Sequence, residues 1–291
     1  MPTRAKGRMR YLPAITIWTL TLAALALAAL VLVGCGDQGE SELTDTFAVG
    51  QRPRVTIESF GGTIEVRAGA DGVVRVDSTL RNPQRIDFAA SGTQDEVSVR
   101  ARRADGISIG NFPAGVAMVV TVPAAADLDV TALNGEIHLS GVDGDTALRA
   151  SNGPVTVAES SGDLVVTVGT GAIRMVAFTG QAVLNTSIGS ITATVADGTF
   201  NFTASNGSIS FEGWFTPGST NAFRTSNGSV NVEVFDPDLR LDLATDEGRV
   251  GAPPLDNIAV AREEALVGDL GGGSSTLLVR TSNGDITVRE P

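Results

Sequence analysis

Residues 131–175 read TALNGEIHLSGVDGDTALRASNGPVTVAESSGDLVVTVGTGAIRM, and the pattern in this stretch continues along most of the chain. A turn dipeptide that ends in glycine is followed each time by a short run in which apolar and polar residues alternate. The turn glycines recur mostly at intervals of 18, and a second glycine series lies half a period away. Self-similarity at a fixed period is typical of repeat architectures. The first series is Gly135, Gly153, Gly171, Gly189, Gly207, Gly228, Gly248 and Gly284, and the second is Gly144, Gly162, Gly180 and Gly198.

This period predicts the fold. Two turns in about 18 residues leave two strands of five or six residues, which is an ordinary strand length. After a turn the apolar side chains alternate with polar ones, as Ile137 and Leu139 do with His138, so one face of each strand is buried. Residues 18 positions apart then stack on one another. The chain is predicted to be all-β, a parallel β-solenoid (β-helix) of two-strand coils, with the right-handed crossovers that parallel strands favour.

The turns are predicted to be structural, because a coil that bends every nine residues repeatedly visits positive φ, where glycine and then asparagine fit best. A ligand-binding ladder of asparagines is the alternative. A thin core is also expected to exclude bulky aromatic side chains, in keeping with an aromatic content of 5%. The predicted structural turn residues are Asn134, Gly135, Asn152, Gly153, Asn206, Gly207, Asn227, Gly228, Asn283 and Gly284.

The two ends of the repeat region are less regular than its middle. Residues 50–130 contain strand-like alternation without the period, as is expected for coils that cover an open sheet edge. Residues 236–275 break the period with prolines and three consecutive glycines, and are predicted to be an irregular insertion. The interval of 36 between Gly248 and Gly284 is twice 18. The whole solenoid domain is predicted to span residues 49–291.

The N-terminus carries a different signal. Four basic residues lie between Arg4 and Arg10, and an uncharged apolar run follows, as in an export signal. The last four residues of this region, Leu32 to Cys35, resemble the bacterial lipobox. The resemblance implies a lipoprotein signal peptide over residues 1–34, with Cys35 as the lipid-attachment residue. An uncleaved transmembrane helix and a soluble secreted form are the alternatives. Residues 35–48 are polar and are predicted to form a flexible tether.

Composition excludes several classes of function. Beyond residue 34 the chain has 17 basic and 33 acidic residues, which argues against a nucleic-acid partner. One Cys and one His cannot build a zinc site. Asp145 and Asp163 would stack as neighbours beside the Asp143 turn, but the column continues as Gln181 and Thr199, so these acids are interpreted as solvated turn residues. No catalytic, cofactor-binding or metal-binding residue is predicted, and His138 is interpreted as a solvated strand residue.

Several phrases of the chain resemble a known family. They are Glu58–Val66 (ESFGGTIEV), Val122–Val130 (VPAAADLDV) and Thr281–Val288 (TSNGDITV), together with the recurrent Ser-Asn-Gly. They resemble the DUF4097-like family of bacterial extracytoplasmic β-strand repeat proteins, which are candidate adhesins. The resemblance covers Val49 to Glu290. It implies a β-helix-like fold at the cell surface and offers no catalytic residues to carry over.

These features together predict a non-enzymatic lipoprotein of the bacterial cell envelope. The protein would be extracytoplasmic, anchored in the cell membrane by lipid on Cys35, and would act as an adhesin-like interaction or scaffold module for a protein or glycan partner. The first alternative is an envelope-associated regulatory or sensing protein that binds a partner protein. The second is a polysaccharide-active β-helix enzyme, which would need converging acids along a groove.

Overall fold

The computed structural model describes residues 39–104 and 115–291, and the predicted signal peptide and Cys35 lie outside these ranges. The regular secondary structure of the described residues is all strand except for one 3-10 turn at Pro83–Arg85. None of its helices is long and apolar enough to span a bilayer. The strands are β1 (Glu40–Ala48), β2 (Arg54–Ser59), β3 (Ile64–Gly69), β4 (Val73–Arg81), β5 (Ile86–Gly92), β6 (Glu96–Arg103), β7 (Gly115–Pro123), β8 (Asp127–Asn134), β9 (Ile137–Ser140), β10 (Thr146–Asn152), β11 (Val155–Thr170), β12 (Ile173–Ile188), β13 (Ile191–Asn206), β14 (Ile209–Phe215), β15 (Thr220–Asn227), β16 (Val230–Val234), β17 (Leu239–Glu247), β18 (Val250–Gly251), β19 (Asn257–Ala261), β20 (Ala265–Leu270), β21 (Ser275–Asn283) and β22 (Ile286–Arg289).

The strands stack in two ladders that share one core. The first ladder holds the strands that precede the Asn-Gly turns, and the second holds those that follow them. In the first, Thr146 pairs in parallel with Leu128 and Leu164, and in the second, Val155 pairs with Ile137 and Ile173. The predicted stacking of residues 18 apart is therefore confirmed, as is the all-β solenoid.

Three 16-residue strands, β11, β12 and β13, run through both ladders and bend between them. The bend in each lies at a residue with left-handed φ: Glu159 at 51°, Ala177 at 52° and Val195 at 53°. The preceding coil has Gly141 at this position, with φ 72°. Because L-residues pay a steric cost in this region, and β-branched residues most of all, Val195 is the least suited of the three.

Alternate residues of both ladders point inward and form one continuous apolar core. Ile137, Val155 and Ile173 are at most 1% exposed, while their strand neighbours His138 and Thr156 lie on the outer face. This is the period-two burial that the sequence predicts for a half-buried strand. Val, Ile and Leu dominate because they fit the pleated surface between coils.

The expectation that the core excludes aromatic side chains is wrong. Five phenylalanines are fully buried: Phe178, Phe200, Phe202, Phe211 and Phe223. Three of them have alanine in register in a neighbouring coil: Phe178 pairs with Ala196, Phe200 with Ala182 and Phe211 with Ala193. A large ring therefore fills the volume that a small neighbour leaves, so packing density is kept without overfilling.

The coils do not stack in sequence order at either end. Strand β21 lies between β15 and β17, and β22 lies between β16 and β18. At the other end β2 lies between β6 and β8, and β3 between β7 and β9. Antiparallel strands complete both ends of the first ladder, β5 on β6 and β19 on β20. This order lets hairpins close edges that a simple coil would leave open.

Two predicted boundaries need correction. Residues 40–48 of the predicted tether form β1, which pairs antiparallel with β4 because Leu43 and Phe47 pack against the core. Between them lies Asp45, whose pKa is raised by burial. Such an acid on an edge strand disfavours pairing with a further chain. The predicted irregular insertion at 236–275 contains two strands that follow the coil pattern, β17 and the short β18, and only β19 and β20 depart from it by pairing antiparallel.

Candidate interaction surface

The predicted Asn-Gly turns form one edge of the solenoid. Asn152 donates from Nδ2 to Oδ1 of Asn134 at 3.1 Å, and Asn227 donates in the same way to Asn206 at 2.9 Å. Thr170 and the exposed Ile188 occupy this position in the two coils between them, so the asparagine ladder is interrupted. The amides bond from coil to coil, which supports the structural interpretation of these residues.

The turn glycines form a column beside the asparagines and are needed for close approach as well as for positive φ. A Cβ on Gly207, which has φ 158°, would lie 2.0 Å from the carbonyl oxygen of Gly189 in the next coil. The same collision would occur at Gly153 against Gly135 and at Gly284 against Gly228. No side chain fits between backbones stacked this closely.

Sequence reasoning missed a set of threonines that complete these turns. Thr225 donates from its hydroxyl to the carbonyl oxygen of Gly207 at 2.8 Å, and Thr281 donates to that of Gly228 at 3.0 Å. Thr245 bonds Gly284 in the same way at 2.9 Å. In the sequence each of these threonines lies two residues before the residue that precedes the turn glycine. This shared position becomes visible only when the coils are aligned by their register.

The outer face of the second ladder carries a polar column that crosses the middle of the solenoid. Its seven members lie in register on neighbouring strands and none of them is a carboxylate, and the next residue in register beyond His138 is the acid Glu65 of β3. The predicted solvated role of His138 agrees with its place on this face, where Nε2 lies 3.1 Å from Oε2 of the exposed Glu136. The column consists of His138, Thr156, Arg174, Thr192, Ser210, Asn231 and Thr287.

The outer face of the first ladder carries a groove with charged side chains near each end. Near one end a shallow groove of about 370 Å³ is lined by Arg224, Arg280 and Asp246, and the two arginines are in-register neighbours. Arg280 is held by Asp242, with Nη2 and Oδ1 2.8 Å apart, whereas Arg224 has no ion pair within the described ranges. The centre between the two ends is neutral and polar, with Thr167, Asn185 and Thr203 in one column.

Near the other end of this face lie carboxylates that the sequence analysis interprets as solvated turn residues. A groove of about 440 Å³ is lined by Asp127, Asp145 and Asp163. Arg52 bridges the first two, with Nη2 2.8 Å from Oδ1 of Asp127 and 2.9 Å from Oδ2 of Asp145. Burial raises the pKa of Asp127, but hydrogen bonds from Arg52 and from the Asp145 backbone N–H outweigh it, so this pKa is lowered.

These acids make an ion-pair network instead of a converging pair. Asp163 is followed in register by Gln181 and Thr199, as the sequence predicts, so the acidic column ends there. Asp143 accepts a hydrogen bond from Ser161 at 2.8 Å in the neighbouring turn. Within residues 39–104 and 115–291 no cluster of three or more potential metal ligands occurs. The two ladder faces therefore offer in-register polar columns suited to contact at several points.

Comparison with known proteins shows which family and which solved structures this architecture resembles. A family model described as Toastrack DUF4097 matches residues 53–289. Solved structures that match include a candidate adhesin from Bacteroides fragilis, at 13% identity and a TM-score of 0.43, covering 85% of this chain and 96% of that one. Another is a candidate lipid-binding protein from Parabacteroides distasonis, at 11% identity and a TM-score of 0.44, covering 86% and 96%. No curated protein matches the chain.

Proposed function

The chain belongs to the Toastrack DUF4097 family, and on that premise we propose that it is a non-enzymatic, lipid-anchored interaction module of the cell envelope. The observation that carries the proposal is the pair of outer faces whose Thr, Ser and Asn columns lie in register from coil to coil. Neighbouring strands are about 4.8 Å apart, so such a column presents hydroxyl and amide groups at a regular spacing. An extended polar partner, a glycan or a protein segment, can bond several coils at once.

The ion pairing of the acids favours this role over hydrolysis. A polysaccharide-active site needs a general acid and a base free to face the same bond. Asp127 and Asp145 are both held by Arg52, and the pKa of Asp127 is lowered, which suits a permanently charged structural group better than a proton donor. The proposed module therefore binds its partner without altering it.

The anchor is tested at Cys35. Cells that express the chain are grown with a fatty-acid analogue that can be tagged, and we expect label on the native protein and none on Cys35→Ser. Ser41→Ala, a short distance downstream, is the matched control and should keep the label. Membrane retention of the native chain with no lipid label would contradict the anchor and would favour a transmembrane helix.

Binding is tested with the full, processed chain on vesicles, exposed to envelope extracts and to purified cell-surface glycans. Two paired variants separate the faces: Thr167→Arg with Thr203→Arg on the first ladder, and Thr156→Arg with Thr192→Arg on the second. We expect one pair to reduce capture of the partner about ten-fold or more, because charged side chains block the column, and the other pair to serve as its control. Capture that neither pair affects would contradict a partner site on the ladder faces.

A further inference from the structure

The described chain begins at a corner of the solenoid where several arginines meet. The carbonyl oxygen of Gly39 accepts the backbone N–H of Asn82 at 2.8 Å. Glu40, the next residue, pairs with Arg81, with Oε1 and Nε 3.3 Å apart. The carbonyl oxygen of Arg85 accepts the N–H of Ala104, at the end of β6. We call this region the entry corner, defined by Gly39, Arg81, Asn82, Arg85 and Arg103.

Charge is distributed unevenly between residues 39–104, which include the entry corner, and residues 115–291. Residues 39–104 carry nine arginines and ten acids, whereas residues 115–291 carry eight arginines and 21 acids. Five of the nine arginines lie at the end of β4, on the connection after it or on β6: Arg81, Arg85, Arg100, Arg102 and Arg103. Glu40 forms an ion pair with Arg81, Glu58 forms ion pairs with Arg100 and Arg102, and Asp87 lies in register with Arg102. The corner thus brings five arginines together at one end of a chain whose residues 115–291 are strongly negative.

An apolar groove adjoins the corner on the outer face of the first ladder. Its volume is about 480 Å³, and Phe60 and Leu133 line it. Leu133 is 53% exposed, and the guanidinium carbon of Arg103 lies 5.3 Å from the centroid of the Phe60 ring. At the membrane interface, apolar side chains can insert below the lipid headgroups while neighbouring arginines contact the charged headgroups.

We propose that the entry corner and this groove rest on an anionic phospholipid membrane, with the acidic coils directed away from it. The inference rests on the proposed lipid anchor at Cys35. Gly39 is the fourth residue after Cys35, so this residue of the corner can lie no more than about 14 Å from the anchored residue. At that range arginines are attracted to anionic headgroups, and the acidic body is repelled by the same surface.

The test uses the full, processed chain in vesicles with one added cysteine that bears a fluorophore. Gln84→Cys places the label at the entry corner, and Ala259→Cys places it on β19 at the far end of the first ladder. The two ends are separated by twelve strand spacings, or about 58 Å. Vesicles contain a spin-labelled headgroup lipid as quencher, with either neutral phosphatidylcholine alone or added phosphatidylglycerol. Flotation of the vesicles reports anchoring independently of quenching.

We expect quenching of the Gln84→Cys label to exceed that of Ala259→Cys at least about five-fold, because quenching by a headgroup spin label needs proximity and the ends differ by about 58 Å. Phosphatidylglycerol should raise the Gln84→Cys signal roughly two-fold, and salt should reverse the increase. The triple variant R85Q/R102Q/R103Q should abolish this increase, whereas R174Q/R224Q/R262Q, three arginines of the remaining coils, should keep it.

Three other outcomes would each contradict the membrane-facing corner, the lipid anchor or both. Equal quenching at the two sites, on vesicles that still float with the protein, would overturn the membrane-facing corner and leave the anchor intact. Absence of flotation would overturn the anchor and this inference with it. Shielding of the Gln84→Cys label in detergent before lipid is added would identify a second copy of the chain as the occupant of the corner, and would also overturn the inference.

Discussion

The side-chain amide of Asn283 donates a hydrogen bond to Oδ1 of Asn227 at 2.9 Å, across a separation of 56 residues. Glu247 holds the equivalent position in β17, which comes between them in sequence, yet it lies on the far side of Asn283 in the stack. The last coil of the chain is therefore clamped between two earlier ones. This order ties the C-terminus to the core and makes the coil before it depend on residues that follow it.

Removal of Ser275–Pro291 should detach more than the last coil. Strand β17 pairs with β21 on one side and with β20 on the other, so loss of β21 leaves it without its link to the solenoid. We expect hydrogen exchange of Leu239–Leu270 to approach that of an unprotected chain, with β8 to β13 unchanged. Retained protection of β17 would show that it can pair directly with β15 and that the insertion of β21 is dispensable.

Val155→Asp tests the register of the core. Val155 is fully buried between Ile137 and Ile173, so the carboxylate would have no partner and no water. We expect a loss of more than about 3 kcal/mol in the free energy of unfolding, measured by urea titration. Thr156→Asp, on the outer face of the same strand, should cost less than about 1 kcal/mol. Equal costs at the two positions would contradict the assigned faces.

Gly207→Ala tests the close approach in the glycine column. The added methyl would collide with the carbonyl oxygen of Gly189 while the backbone held φ 158°. We expect a loss of about 2 kcal/mol or more by chemical denaturation, since the backbones of two coils must move apart. Gly251→Ala is the control, because a Cβ there meets no atom within 4 Å. If both alanine variants unfold like the parent chain, close approach is not what requires glycine here.

Val195→Gly should stabilise the protein, although it removes a β-branched residue from a strand. Val195 has φ 53°, a region that costs an L-residue about 1–2 kcal/mol, and its side chain is half exposed. Glycine removes that steric cost, but it loses more conformational entropy on folding, which costs about 0.5–1 kcal/mol. We therefore expect the free energy of unfolding to rise by about 0.5–1 kcal/mol. Thr192→Gly, where φ is not left-handed, should destabilise. A thermal melt that ranks the two variants in the opposite order would refute the assigned bend.

The network of Arg52, Asp127 and Asp145 should make stability fall in acid. The pKa of Asp127 is lower in the folded protein than its usual 3.8, so the unfolded chain binds this proton first. The stabilisation is present above the usual value and is lost as the pH falls through the lower folded one. Asp127→Asn should flatten the acid limb of a plot of unfolding free energy against pH, and Arg52→Gln should do the same. Exposed Asp197→Asn is the control and should leave the limb unchanged.

Much of the fold could be predicted from residues 134–211, where turn and strand positions repeat every 18 residues without exception. The pairing of Val155 with Ile137 and Ile173 follows from that period alone. The order of the strands at the two ends could not be predicted in this way. The hairpins and inserted coils there depend on contacts with sheet edges formed by residues far away in the sequence. The burial of Phe200 likewise depends on Ala182 in the neighbouring coil, a pairing that composition does not reveal.

The sequence by itself determined the coil: glycine at the turns, alternating burial along the strands, and an acidic chain with a single cysteine at a lipobox-like site. These are local properties, dictated by steric limits on φ and by side-chain period. Only the tertiary structure decided the order of the coils, the strand at Glu40–Ala48 and the meeting of Arg81, Arg85 and Arg103 beside Gly39. Those features depend on contacts between segments far apart in the chain, which no local pattern specifies.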